Sequence, residues 1–188
     1  MPTVSIIMPA FQAEASLRSA ISSMSAQTFA DWELIVVDDG STDATLSLAQ
    51  SIAKDEPRVR VFTQANLGAS SARNAGLRKA KGDWIGFLDA DDWFAPSFLQ
   101  SLLAIRTAHP DAGVVYCDFA LVDANGKLQE EQRVPDLSDP FGTLARNCVL
   151  SVHCALTRAD VMRAAGEFDE AIIIIEDWDL WQRIARTG

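Results

Sequence analysis

Three carboxylates crowd into Asp89-Ala90-Asp91-Asp92, directly after the apolar run Trp84-Ile85-Gly86-Phe87-Leu88. Charges of one sign this close repel, and the arrangement is costly at the end of a buried strand unless a cation neutralises it. Hard oxygen ligands of this kind suit Mg²⁺ or Mn²⁺, which also coordinate phosphate oxygens. The plainer alternative is a solvated turn, or Asp92 helping to start the helix after Pro96. The apolar strand that precedes the cluster favours a metal.

A second acidic pair, Asp38-Asp39, ends the run Trp32-Glu33-Leu34-Ile35-Val36-Val37 and is followed by Gly40-Ser41-Thr42-Asp43. Gly40 permits a tight turn, and Ser41 or Thr42 is expected to cap the next helix. Capping does not account for two acids on an apolar strand, whereas binding a base N–H or sugar hydroxyls would. Asn66-Leu67-Gly68-Ala69-Ser70-Ser71-Ala72-Arg73-Asn74-Ala75-Gly76 is a run of small residues opening a helix. Small side chains let a ligand or a sheet approach closely, and Arg73 can offer positive charge to a pyrophosphate. Glu176-Asp177 starts the last helix. Acids there are ordinary dipole compensation, and only one of two successive residues can face a site squarely. His153 near a strand is expected to be structural; the alternative is a contact to the acceptor or the metal.

The elements that must position these groups alternate strand and helix. Val4-Ser5-Ile6-Ile7-Met8 reads as a strand stopped by Pro9, and Leu17, Ala20, Ile21 and Met24 form a helical stripe. A strand over 32–37, a helix bearing Leu46, Ala49, Ile52 and Ala53, a strand over 58–62, a helix over 69–80 and a strand over 84–88 follow. This order predicts an α/β fold: a Rossmann-like, mainly parallel sheet with helices on both faces and right-handed crossovers. Ligands of such sheets bind beyond the carboxyl ends of the strands, where Pro9-Ala10-Phe11, Asp38-Asp39 and Asp89-Ala90-Asp91 fall together. The second half reads as mixed: a hairpin from Gly113 turning at Asp123-Ala124-Asn125-Gly126, a strand over 151–156, a helix over 158–165, then Ile172-Ile173-Ile174-Ile175 leading into a helix with Trp178, Trp181 and Ile184.

The 188 residues fit one domain, about 1–92 binding a nucleotide and about 93–188 facing an acceptor. The chain stops after an amphipathic helix with no evident closing strand, so a truncated chain is expected. No apolar run reaches the roughly 20 residues of a membrane span, and the opening residues lack a signal pattern. A net charge of −10 argues against nucleic acid. An acidic protein can still hold a polyphosphate if a divalent cation lies between them. Cys117, Cys148 and Cys154 have no metal-type spacing and are expected to be buried thiols of a reducing cytosol.

Taken in order, these segments resemble glycosyltransferase family 2, inverting enzymes of the A-type glycosyltransferase fold. Val4 to Phe11 is similar to the opening strand and nucleotide-contacting turn, and Glu14 to the acid of a Tyr-Asn-Glu segment, from which Phe11-Gln12-Ala13 departs. Leu34 to Asp43 is similar to the base-binding segment, 68–76 to the segment lying along the nucleotide, and Asp89-Ala90-Asp91 to the Asp-X-Asp element. Gly166-Glu167-Phe168-Asp169-Glu170 resembles a Gly-Gly-Phe-Asp-Glu segment, with Glu167 replacing a glycine.

The resemblance implies donor contacts at Pro9, Ala10, Phe11, Glu14, Asp38, Asp39, Ser41, Asn66, Gly68, Arg73, Asp89, Ala90 and Asp91, with Mn²⁺ or Mg²⁺ on Asp91 and Asp89. It implies Asp177 as general base, with Glu176 orienting the acceptor or Asp177. The activity expected is inverting transfer from a UDP- or dTDP-sugar to a sugar, glycan or lipid-linked acceptor in surface polysaccharide or glycoconjugate synthesis. The place expected is the cytoplasm, at the inner face of the membrane in peripheral association. The alternative is an inactive or truncated nucleotide-sugar-binding module.

Overall fold

The computed structural model describes residues 1–123 and 126–187. Four parallel strands form the heart of one sheet: β1 (Val4–Ala10), β2 (Trp32–Asp38), β3 (Val59–Thr63) and β4 (Trp84–Phe87). Between them run α1 (Leu17–Ser25), α2 (Thr45–Asp55) and α3 (Ala69–Leu77), and α4 (Phe98–Ala108) follows β4. The sheet is completed by β8 (Ala155–Arg158), antiparallel to β4, and β5 (Val114–Tyr116), antiparallel to β8. The order β3-β2-β1-β4-β8-β5 reverses direction at β1, which opens a crevice between β1 and β4 at their carboxyl ends.

Pro9 does not stop the first strand. It pairs with Val37 inside β1, while the pairing of β1 with β4 has already ended at Ile7 and Phe87. Only one neighbour remains there, so a missing N–H is tolerated on that open side. Alternate residues of β1 serve the two faces of the sheet. Ile6 and Met8 pack with Leu17, Ile21 and Met24 of α1 and Leu99 and Leu102 of α4. Ile7 packs on the other face with Ile85, Phe87 and the buried Met162, Leu180 and Trp181 of α6 (Ala159–Ala165) and α7 (Glu176–Arg186). Gly76 lets α3 lie directly on this face, since a Cβ there would overlap the Ile7 side chain.

The second half is indeed mixed, and it departs from the expected boundaries. β6 (Phe119–Val122) and β7 (Leu128–Gln132) form a separate two-stranded ribbon, so the expected hairpin strand over Gly113–Val122 is broken between two sheets. The expected turn at Ala124-Asn125 lies outside the described residues. α5 (Pro140–Leu144) follows the ribbon. Residues 152–154 form a single 3₁₀ turn ahead of β8, where a strand was expected. The four isoleucines form no strand; Ile173 and Ile174 are 90% and 76% exposed. Cys148 is exposed rather than buried, because it falls in the loop after α5; Cys154 is buried and Cys117 half-buried, and burial pushes their thiols up to about 12 and about 11. Among the described residues no helix is long and apolar enough to cross a membrane.

Candidate active site

The crevice at the β1/β4 switch point is a cleft of about 370 Å³. Ten of the thirteen residues expected to hold a donor line it: Pro9, Ala10, Phe11, Asp39, Asn66, Gly68, Arg73, Asp89, Ala90 and Asp91. They come from the ends of β1, β2 and β4 and from the loop into α3 and its first turns, so the order of the parallel strands gathers them. Gln12, Ala13, Ser16 and Ala69 also line it and were not singled out. Gln12 shows a signal only in hindsight, a left-handed φ of 50°.

Asp39 organises the wall opposite β4. Its Oδ1 accepts from Gln64 Nε2 (2.8 Å) and the Leu67 N–H (2.9 Å), and its Oδ2 accepts from the Gly68 N–H (2.8 Å). This fixes the loop that leads into α3 and leaves Oδ2 a lone pair for a donor in the cleft. Gly40 is required here: its φ is +74°, and a Cβ would come within 2.9 Å of Asn66 N.

The other three expected donor residues do not line the cleft. Asp38 is buried, accepting from the Ser41 N–H and Thr63 Oγ1, with Oδ1 lacking a partner. Ser41 Oγ accepts from the Gln12 N–H (3.0 Å), and Glu14 Oε2 accepts from the Ala44 N–H (2.8 Å). Neither Ser41 nor Thr42 caps α2. Glu14 and Asp43, whose Oδ1 takes the Thr45 N–H (3.0 Å), satisfy the helix start, because α2 begins later than Ser41 allows.

Arg73 is the hub. The residue is 4% exposed, and its guanidinium donates from Nη1 to Glu176 Oε1 (2.6 Å) and from Nη2 to both oxygens of Asp89 (2.9 and 3.1 Å). Next to it, Asn74 donates to the Phe168 carbonyl (3.0 Å) and Glu170 Oε1 (3.0 Å) and accepts from the Phe168 N–H (2.8 Å). Two adjacent residues of α3 therefore tie the Asp89 turn, the 166–170 segment and the start of α7 into one unit. Burial works to weaken the Arg73 charge, but Asp89 and Glu176 outweigh it and raise its affinity for the proton.

On the far side of Asp89, His153 Nε2 lies 3.0 Å from Asp89 Oδ2 and 3.2 Å from Asp92 Oδ2. It aims squarely at neither and is a buried nitrogen without a well-formed hydrogen bond. Burial alone would raise the Asp89 carboxyl, yet the His153 ring and the Arg73 guanidinium hold it down to about 2. Burial and the neighbouring acids Asp91 and Asp89 push Asp92 up, against the pull of His153. Asp89, Asp92 and His153 each offer one ligand atom, all within 4.8 Å of one another. A cluster of carboxylates with an unsatisfied imidazole nitrogen is a donor set that fits a divalent cation, and the nitrogen suits Mn²⁺ better than Mg²⁺. Asp91 stands outside this trio. It is exposed in the cleft and has no ion-pair partner among the described residues. His153 lies beside the Asp89–Asp92 turn and completes this candidate donor set. The spacing of 61 to 64 residues from the acids hid it.

Glu176 and Asp177 divide as helical geometry requires. Glu176 faces Arg73, while Asp177 takes the Trp178 N–H on Oδ1 (2.8 Å) and has its carboxyl pushed up, first by burial and then by Glu176. Ile175, just before them, is left-handed at φ 62°, a conformation that β-branched residues rarely adopt.

The family model of Glycosyl transferase family 2 matches residues 5–165. Chondroitin synthase of Escherichia coli is 31% identical over 189 residues, spanning all of this chain and 27% of that protein. O-antigen biosynthesis protein RfbC of Myxococcus xanthus is 32% identical over 189 residues, 99% of this chain and 15% of that protein. The uncharacterized glycosyltransferase EpsJ of Bacillus subtilis is 43% identical over 119 residues, 63% of this chain and 34% of that protein. The chain thus spans about a third or less of the length of these relatives. Among solved structures, S. aureus TarS 1-349 in complex with UDP-GlcNAc has a TM-score of 0.79 at 23% identity, covering 98% of this chain and 53% of that one. Mannosyltransferase PcManGT from Pyrobaculum calidifontis in complex with GDP-Man and Mn²⁺ gives 0.76 at 21%, covering 100% and 53%. Strand order, the gathered acidic ends and these matches agree: the chain belongs to glycosyltransferase family 2, on the A-type glycosyltransferase fold.

Proposed function

We propose that the cleft binds a nucleotide diphosphate-sugar and that the chain carries out inverting transfer of the sugar to an acceptor hydroxyl, in surface polysaccharide or glycoconjugate synthesis at the cytoplasmic face of a membrane. The observation that carries the reading is Arg73, which clamps the acid of the metal element, Asp89, to the acid beside the expected base, Glu176. Phe11, 48% exposed at the rim, offers a face for the base, and Asp39 Oδ2 an acceptor for a base N–H or ribose hydroxyl. UDP- and dTDP-sugars are the donors of choice; TarS holds UDP-GlcNAc in its solved complex.

A divalent cation would be held by Asp89 and Asp91, with Asp92 and His153 offering further ligands. Such an ion, when bound, offsets the charge that develops on the departing diphosphate. Asp91 has no cationic partner among the described residues and is therefore the carboxylate most dependent on that ion. Asp89 is already compensated by Arg73 and acts chiefly to orient. Asp177 takes the proton of the acceptor hydroxyl as that oxygen attacks the anomeric carbon from the face opposite the diphosphate. A base raised above the usual aspartate range performs this better than an ordinary carboxylate. The single displacement inverts configuration and requires no covalent enzyme intermediate.

A screen of nucleotide-sugars by thermal shift with Mn²⁺ identifies the donor, since whatever binds the native state raises Tm. With that donor, Asp177→Asn is expected to keep UDP–Mn²⁺ binding by calorimetry and to lose at least about a hundredfold in transfer rate. Undiminished transfer by this variant would remove Asp177 from the mechanism.

A further inference from the structure

Two successive residues of α3 hold the two ends of one strap of chain. Arg73 holds Glu176 at one end (2.6 Å). Asn74, 1% exposed, holds the other: it donates to the Phe168 carbonyl and Glu170 Oε1 (both 3.0 Å) and accepts from the Phe168 N–H (2.8 Å). The Phe168 ring completes this anchor, edge-on to Phe87 of β4 with centroids 5.1 Å apart. Between the anchors none of residues 169–175 is buried. The strap's own hydrogen bonds gather near its ends. The Ala171 N–H meets Asp169 Oδ1 (2.9 Å) and the Ile172 N–H meets the Asp169 carbonyl (3.1 Å), while the Ile175 carbonyl accepts from the Trp178 N–H (3.1 Å). Packing within the strap therefore does not dictate its path, yet the path is specific. Ile175, directly before Glu176-Asp177, is left-handed at φ 62°. A β-branched residue persists there only where the surrounding chain over-determines it. With no buried side chain in the strap, that constraint comes from the two anchors.

We infer that Asn74 is a positioning residue: by fixing Phe168 and Glu170 it keeps Ile175 left-handed and thereby aims the first turn of α7, with Asp177, at the donor cleft. The inference rests on the reading of Asp177 as the base and adds the device that places it. Asn74 does not line the donor cleft, so it acts through the strap alone. The body of α7 is held separately by the buried Leu180, Trp181 and Ile184, and the strap governs only the turn ahead of them. In that turn Trp178 Nε1 donates to the Leu144 carbonyl, which makes the turn pivot rather than unwind. Release of the Asn74 end lets Ile175 relax to a negative φ. Asp177 then moves relative to the sugar, while the strand ends that line the donor cleft stay in place.

The test uses the full chain. Asn74→Ala removes all three bonds; Asn74→Asp keeps the acceptor for the Phe168 N–H but sets a carboxylate against Glu170, and it carries the comparison if the alanine variant does not fold. Hydrogen exchange read by mass spectrometry is expected to quicken at least about tenfold across 169–179, with β1 and β2 unchanged. UDP release from UDP-GlcNAc with Mn²⁺ follows the reaction with water as acceptor: its oxygen attacks the anomeric carbon, the bond to the diphosphate breaks, and its proton passes to Asp177. The kcat of this release is expected to fall about tenfold to a hundredfold, as for a misplaced catalytic group, while the Kd of UDP–Mn²⁺ by calorimetry stays within about twofold. Two second-site changes should each recover at least about threefold in rate. Glu170→Gln added to Asn74→Asp returns an N–H donor to the anchor. Ile175→Asn added to Asn74→Ala supplies a residue that adopts the left-handed backbone without being held there. Unchanged exchange across 169–179 overturns the inference, as does UDP–Mn²⁺ affinity that falls in step with kcat. Failure of both second-site changes to recover the rate overturns it too. An unaltered chain that neither binds UDP–Mn²⁺ nor releases UDP counts against the donor assignment, and the exchange pattern then decides on Asn74 by itself. Undiminished release by Asp177→Asn, with exchange quickened in the Asn74 variants, counts against the base assignment alone.

Discussion

Replacing Arg73 with Met tests the hub directly. The substitution preserves much of the buried aliphatic volume and removes the charge that Asp89 and Glu176 share. Breaking a buried ion pair by deleting one partner costs about 3–5 kcal/mol, because the remaining charge is left uncompensated. Here both carboxylates keep some contact with solvent, their side chains 29% and 18% exposed, which places the loss near the lower end, about 3 kcal/mol. For a chain of 188 residues that corresponds to a fall in Tm of about 6–12 °C. Differential scanning calorimetry of Arg73→Met, Glu176→Gln and the double variant forms a cycle. The double variant should lose less than the sum of the single losses, by about 1–2 kcal/mol, since two groups of one network are coupled. Arg73→Lys should recover only part of the stability, because a point charge cannot serve two carboxylates as the guanidinium fork does. A fall of less than about 2 °C for Arg73→Met would show that α7 is not held to the sheet through this arginine.

Two further predictions concern other parts of the fold. Burial raises the Glu33 carboxyl, but hydrogen bonds from Ser5, Arg60 and the Lys81 N–H more than offset this, so its folded-state affinity for the proton is lowered. Its contribution to stability is then present above the unfolded value and lost as pH falls through the lower folded one; Glu33→Gln should cost about 1–3 kcal/mol near neutrality and flatten the acid limb of a stability–pH curve from urea titrations. An acid limb as steep as that of the unaltered chain would contradict this. Ile175→Asn should relieve a left-handed β-branched residue and raise Tm by about 2–4 °C, worth about 1 kcal/mol; a lowered Tm would mean that the Ile175 side chain makes stabilising contacts.

How much of the fold and site is legible in the residues follows from the range of the interactions. Alternating apolar runs set strand against helix locally, so β1 to β4 and α1 to α3 could be read within a few residues, and with them the parallel sheet. The acidic strand ends also declared themselves, because carboxylates crowded directly after a buried strand are costly unless a ligand or cation meets them. Boundaries set by long-range contacts were not legible: Pro9 remains in β1 only because β4 has already turned away, and the strand over 151–156 yields to a 3₁₀ turn that brings His153 to Asp89 and Asp92. Local chemistry misled at α2, where Ser41 and Thr42 looked like caps while Glu14, from another segment, takes the Ala44 N–H.

The sequence by itself determined the alternation, the sheet and the identity of the acids, since each depends on neighbours a few residues apart. Only the tertiary structure decided their partners. Arg73 reaches Glu176 across 103 positions, and Asn74 reaches Phe168 across 94. Such pairings depend on which faces the packed layers turn toward each other, and side-chain periodicity alone carries no information about that distance.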